Sequence, residues 1–62
     1  MAVRAELSTL ASTLDDVTRR VSALAEEAQG AGDETLAAEL FGVERGLAGA
    51  LRRLSRLSTD RH

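Results

Sequence analysis

The sequence predicts an all-α fold, an antiparallel two-helix coiled-coil hairpin that dimerises into a four-helix bundle. Two apolar stripes at coiled-coil spacing, separated by a glycine-containing segment, indicate this fold. In the first half of the chain, steps of four and three residues join Val3, Leu7, Leu10, Leu14, Val17, Val21, Leu24 and Ala28. The second stripe consists of Leu36, Leu40, Val43, Leu47, Leu51, Leu54 and Leu57.

Reading the second stripe backwards fixes the expected register. A fold near residues 30 and 31 opposes Leu24 to Leu36, Val21 to Leu40, Val17 to Val43, Leu14 to Leu47, Leu10 to Leu51, Leu7 to Leu54 and Val3 to Leu57. The two members of each pair lie at nearly equal distances along the chain from the turn, as an antiparallel hairpin requires. The same rule brings Glu6 near Arg53 and Arg56, Asp15 and Asp16 near Arg45, and Arg19 and Arg20 near Glu39 and Glu44. A parallel pair of helices would lose these charge matches.

A single domain spans residues 1–62, with helix 1 at about 2–29, a turn at 30–32 and helix 2 at about 33–58. We expect Gly30 to adopt the left-handed conformation that closes helix 1. We expect Asp33 to cap helix 2, because its carboxylate can accept hydrogen bonds from the free N–H groups of the first turn.

Composition limits the function classes. The 62 residues contain no cysteine, which excludes disulfides and thiolate metal sites, and the single histidine, His62, is predicted to be a solvated terminus. All basic residues are arginine, which suggests a GC-rich bacterial genome. The net charge of −2 is too weak to attract nucleic acid or an anionic membrane to the whole surface. No apolar run could cross a membrane and no leader pattern is visible, so we expect a cytoplasmic protein.

Helix 2 has a wider apolar arc than one neighbouring helix can cover, which predicts a homodimer. The predicted dimer-interface residues are Ala37, Phe41, Glu44 and Ala48. Phe41 is either an interface anchor or a filler of the bundle core. Glu44 lies inside this arc, where it either pairs with Arg19 or Arg20 or serves as a buried charge that sets the register of an interface.

A stripe of small residues lies opposite the seam of helix 2 and consists of Ala38, Gly42, Gly46 and Gly49. Arginines border or continue this stripe at Arg45, Arg52, Arg53 and Arg56. The pattern predicts a partner-binding surface on which another helix lies close to the backbone or phosphate contacts the guanidinium groups. The alternative is a solvated face whose glycines reflect codon usage.

Catalysis finds little support in the sequence. The paired carboxylates are adjacent along a helix, so they point about 100° apart and cannot converge on one substrate atom. No nucleophile lies beside a base, and no phosphate-binding loop follows a strand. We therefore expect no enzyme activity, no cofactor, no metal and no small-molecule substrate.

The turn and helix 2 resemble small uncharacterised helical hairpins of actinobacteria, through residues 33–47 and the segment from Ala50 to Leu54. A better characterised hairpin of these bacteria, the anti-sigma factor that senses cyclic-di-GMP, binds its ligand with Glu, Ser, Arg, Gln and Asp along one helix. In this chain the matching register from Glu44 reads Ala48, Leu51, Ser55 and Thr59, so the resemblance does not imply nucleotide sensing.

Taken with the charge and the stripe, these features predict a bacterial protein–protein interaction module that self-associates and docks a partner helix. The alternative is a nucleic-acid-associated regulator that uses the arginines of helix 2 on phosphate. The negative net charge and the lack of a helix-turn-helix pattern favour the first interpretation.

Overall fold

The computed structural model describes residues 2–59, which form two α-helices joined by a short turn. Helix α1 spans Val3–Gly30 and α2 spans Glu34–Thr59, so each boundary lies one residue further along the chain than predicted. The two helices pack against each other as a rod with extents of 48 × 14 × 10 Å. The predicted solvated terminus, His62, lies outside the described residues.

The turn is a Schellman motif, in which the chain leaves α1 through a left-handed residue. The N–H of Asp33 donates to the carbonyl of Ala28 at 2.9 Å, and the N–H of Gly32 donates to the carbonyl of Gln29 at 3.1 Å. The left-handed residue is Gly32, with φ of 84°, and not Gly30 as predicted. Gly30 is instead the last residue of α1, because the left-handed residue of the motif lies two positions later than expected.

Asp33 caps the start of α2, as predicted. Its Oδ1 accepts a hydrogen bond from the N–H of Leu36 at 3.2 Å, and its carbonyl accepts one from the N–H of Ala37 at 3.0 Å. The start of α1 has no such side-chain cap, since Ala2 occupies the cap position. The backbone groups at the turn end of the rod therefore have more hydrogen-bond partners than those at the start of α1.

A cross-helix hydrogen bond closes the open end. The guanidinium of Arg4 donates to the carbonyl of Leu57, which joins the first turn of α1 to the last turn of α2. This contact confirms the antiparallel hairpin and agrees with the predicted opposition of Val3 and Leu57.

The line along which the helices touch differs from the predicted seam. The buried residues are mostly small, and consist of Ala11, Thr18, Ala25, Ala28 and Ala37. Ala11, Thr18 and Ala25 repeat every seven residues along α1, and each lies one position after a residue of the predicted stripe. Alanine allows two helix backbones to approach closely, and the Thr18 hydroxyl is satisfied by the carbonyl of Leu14 at 2.7 Å.

The predicted leucine and valine seam is consequently only half covered. Leu7, Leu14 and Val21 are half-buried against α2, and Leu40, Leu47, Leu51 and Leu54 are half-buried against α1. The remaining members of the seam are between 38% and 57% exposed, and are Val3, Leu10, Val17, Leu24, Leu36, Val43 and Leu57. The seven predicted layers therefore do not form a closed core within one chain.

The ionic contacts also differ from the prediction. Arg19 pairs with Asp15 at 3.0 Å, and Arg20 pairs with Asp16 at 3.6 Å, so both of these pairs lie within α1. Of the acidic residues predicted to pair across the hairpin, Glu6, Glu39 and Glu44 form no ion pair with another described residue. The helices touch along a line that is rotated from the predicted seam. Glu6 and Arg53 consequently lie at opposite outer edges of the hairpin, where they cannot pair within one chain.

Candidate interaction surfaces

Exposed apolar side chains form one stripe along each helix. On α1 the stripe contains Val3, Leu10, Val17 and Leu24, and on α2 it contains Leu36, Val43, Ala50 and Leu57. Within each stripe the spacing is seven residues, the period that keeps side chains on one side of a supercoiling helix. We call the two stripes together the apolar face.

Both stripes lie on the same side of the hairpin. At the turn end, Leu24 and Ala28 of α1 line a single open cleft with Leu36 and Leu40 of α2. Because both stripes keep their spacing, this shared side continues to the open end of the rod. The half-buried leucines lie between the stripes, so the apolar face is continuous across the hairpin.

The accessible surface of the chain is large for its mass. It amounts to 4708 Å² for 6.6 kDa, whereas a compact monomer of this mass has roughly 3,900 Å². The excess is about 800 Å². The elongated shape of the two-helix rod accounts for it, since a rod exposes more surface than a compact body of the same mass.

A second surface is a cleft on the outer flank of α2, on the side away from α1. It has a volume of about 480 Å³ and is lined by Arg45, Gly46, Gly49, Ala50, Arg52, Arg53 and Arg56. We call it the arginine cleft. Six of the eight predicted partner-binding residues line it, while the other two, Ala38 and Gly42, lie nearer the turn.

The glycines of the small-residue stripe are not required by the packing of the hairpin. A Cβ added at Gly46 would meet no atom within 4 Å. At Gly42 and Gly49 it would meet only the guanidinium groups of Arg45 and Arg52, at 3.8 and 3.9 Å. The absence of side chains at these positions therefore gives the single chain no packing advantage.

The residues predicted at a dimer interface are partly covered within the single hairpin. Ala37 is only 4% exposed, and Phe41, Glu44 and Ala48 are half-buried. Their place in a dimer interface stays a prediction. The uncovered apolar surface is the leucine and valine stripe, which the sequence had assigned to the hairpin seam.

The described residues contain no group of three or more histidine, cysteine or carboxylate side chains close enough to hold a metal ion. Within residues 2–59, neither helix combines the length and apolar character that crossing a bilayer requires.

No protein-family model matches this chain, and no curated protein or solved structure shows significant similarity to it. The resemblance of helix 2 to actinobacterial hairpins stays a prediction.

Proposed function

We propose that this protein is a small, non-catalytic protein–protein interaction module that self-associates and docks a helix of a partner protein. The observation that carries the proposal is the continuous apolar face, seven of whose eight members are large side chains that one hairpin leaves 38% to 57% exposed. Contiguous apolar surfaces of this kind on a small domain mark sites of protein association.

The arginine cleft is the proposed docking site for the partner helix. Its glycines allow a second backbone to come close, and its guanidinium groups suit a helix that carries carboxylates. Each interior glycine costs about 1 kcal/mol relative to alanine, a large concession in so small a fold. Close approach of a partner would explain why three such residues are kept on one face.

A triple substitution tests the docking site. Replacing Gly42, Gly46 and Gly49 by alanine should stabilise the isolated chain and weaken capture of its partner from lysate of the native organism. A matched variant, Ser8→Ala with Ser12→Ala, changes exposed residues of α1 and should leave capture unchanged. If the triple variant captured every partner as well as the parent, the arginine cleft would not be a helix-docking site.

A second candidate function is nucleic-acid association, which the four arginines lining one cleft favour. Phosphate contacts would make the affinity fall steeply with salt. On duplex DNA, the logarithm of the binding constant falls with the logarithm of the salt concentration with a slope of about 0.9 per phosphate neutralised. Helix docking would respond far less to salt. Fluorescence anisotropy with a labelled duplex between low and physiological salt separates the two candidates.

A further inference from the structure

We infer that the apolar face binds a second copy of this chain with the two turns at the same end of the four-helix bundle. In this arrangement α1 of each copy lies against α2 of the other, in antiparallel orientation. The inference rests on the self-association in the proposed function, and adds the occupant of the face and its orientation.

The apolar face fits a copy of itself. Two parallel ridges of leucine and valine at seven-residue spacing present the knobs and holes that a second identical pair of ridges would fill. Seven large side chains of this face are 38% to 57% exposed in the single chain, so a second copy could bury them. A two-fold axis lets one surface serve both partners.

Charged residues line the two outer rims of the apolar face. Next to the stripe of α1 lie Glu6, Arg20 and Glu27, and next to the stripe of α2 lie Glu39 and Arg53. All five are exposed, and only Arg20 has an ionic partner among the described residues, namely Asp16. These rims would meet those of a second copy, so their charges depend on its orientation.

With the turns together, the rim of α1 meets the rim of α2 from the second copy. The antiparallel register then brings Glu6 within one or two residues of the level of Arg53, and Arg20 within one or two residues of the level of Glu39. These two matches occur twice in a two-fold dimer and join opposite charges, whereas Glu27 comes to the level of Asp33 and Glu34, which is a like-charge contact. The attractive matches therefore outnumber the repulsive ones.

With the turns at opposite ends, each rim meets its own copy. Full overlap of the rods then brings Glu6 to the level of Glu27, a repulsive contact that occurs twice, and only the match of Glu39 with Arg53 stays attractive. The rim charges therefore favour the arrangement with the turns together. Like charges that face each other across an interface disfavour the arrangement with the turns at opposite ends.

A distance measurement tests the orientation. Gln29 is exposed near the turn and does not line the cleft of the apolar face, so Gln29→Cys carrying a spin label reports the separation of the two turns by double electron–electron resonance. Turns at the same end give about 20 Å, two helix diameters. Turns at opposite ends of rods 48 Å long give about 45 Å. A dimer with the long distance would overturn the orientation but keep self-association, whereas a chain that stays monomeric would overturn both.

A charge-swap experiment tests the rims without a label. Glu6→Arg and Arg53→Glu chains each form like-charge contacts when they pair with themselves, but a mixed dimer with the turns together has only opposite-charge contacts at these two positions. Native mass spectrometry of the mixture should therefore give about three-quarters or more mixed dimer at low salt, against half for random pairing. Random pairing, or an excess of the Glu6→Arg homodimer, would refute the inferred orientation. Glu26→Arg is the matched control, because Glu26 is exposed on the opposite side of α1.

Discussion

Truncation of one exposed leucine measures how much the apolar face contributes to association. Leu10 is 51% exposed in the single chain, so about half of its side chain remains to be buried by a partner. Full burial of a leucine contributes roughly 1.5 to 3 kcal/mol, and the uncovered half accordingly about 0.8 to 1.5 kcal/mol. A two-fold dimer contains two copies, so Leu10→Ala should cost roughly 1.5 to 3 kcal/mol of dimerisation free energy, or a 10- to 150-fold increase in Kd.

Sedimentation equilibrium over a range of concentrations gives the Kd of parent and variant, and circular dichroism checks that the hairpin stays helical. Ser12→Ala is the control, since Ser12 is exposed away from the apolar face and its replacement changes helix propensity alone. An unchanged Kd for Leu10→Ala, or a parent chain that is monomeric at micromolar concentration, would refute the argument that this face drives self-association.

Three further substitutions test the hairpin itself, each by urea or thermal unfolding followed by circular dichroism. Asp33→Ala should lower stability by about 1 kcal/mol through loss of the helix cap, while Asp33→Ser should retain most of it; equal losses would contradict the capping role. Gly32→Ala should destabilise by about 1 kcal/mol because its φ is 84°, whereas Gly30→Ala should stabilise, since that residue is helical and its added Cβ meets no atom within 4 Å. Phe41→Ala should lower the stability of the single hairpin by at least 1 kcal/mol and change the dimer Kd less than Leu10→Ala does, because Phe41 is half-buried in the single hairpin; the opposite order would place Phe41 at the dimer interface.

The hairpin could be predicted from the sequence because its determinants are local. The heptad period indicates helices, and Asp33 with the nearby glycines marks the turn between them. The choice between Gly30 and Gly32 for the left-handed position could not be made in this way, because either residue can adopt it. The carbonyls of Ala28 and Gln29, which accept the closing hydrogen bonds, decide it in favour of Gly32.

The orientation of each helix about its own axis could not be predicted, because two sets of residues on α1 share the same period. Leu10 and Val17 repeat every seven residues, and so do Ala11 and Thr18 one position away. Hydrophobicity alone favours the larger side chains for the hairpin contact. The structure instead uses the small residues, which permit close helix packing, and leaves the larger ones uncovered. This rotation is also the reason why we place the proposed dimer interface on the exposed leucines and valines.

The contact between Arg4 and the carbonyl of Leu57 has a consequence for local unfolding. Near the turn, Ala25, Ala28 and Ala37 are buried and a hydrogen-bonded motif joins the helices. At the other end the flanking side chains are exposed, and this guanidinium contact holds the helices together across 53 positions of sequence. Amide exchange should therefore be slowest beside the turn and become faster toward the open end. We expect the two helices to separate first at the open end when the hairpin unfolds locally.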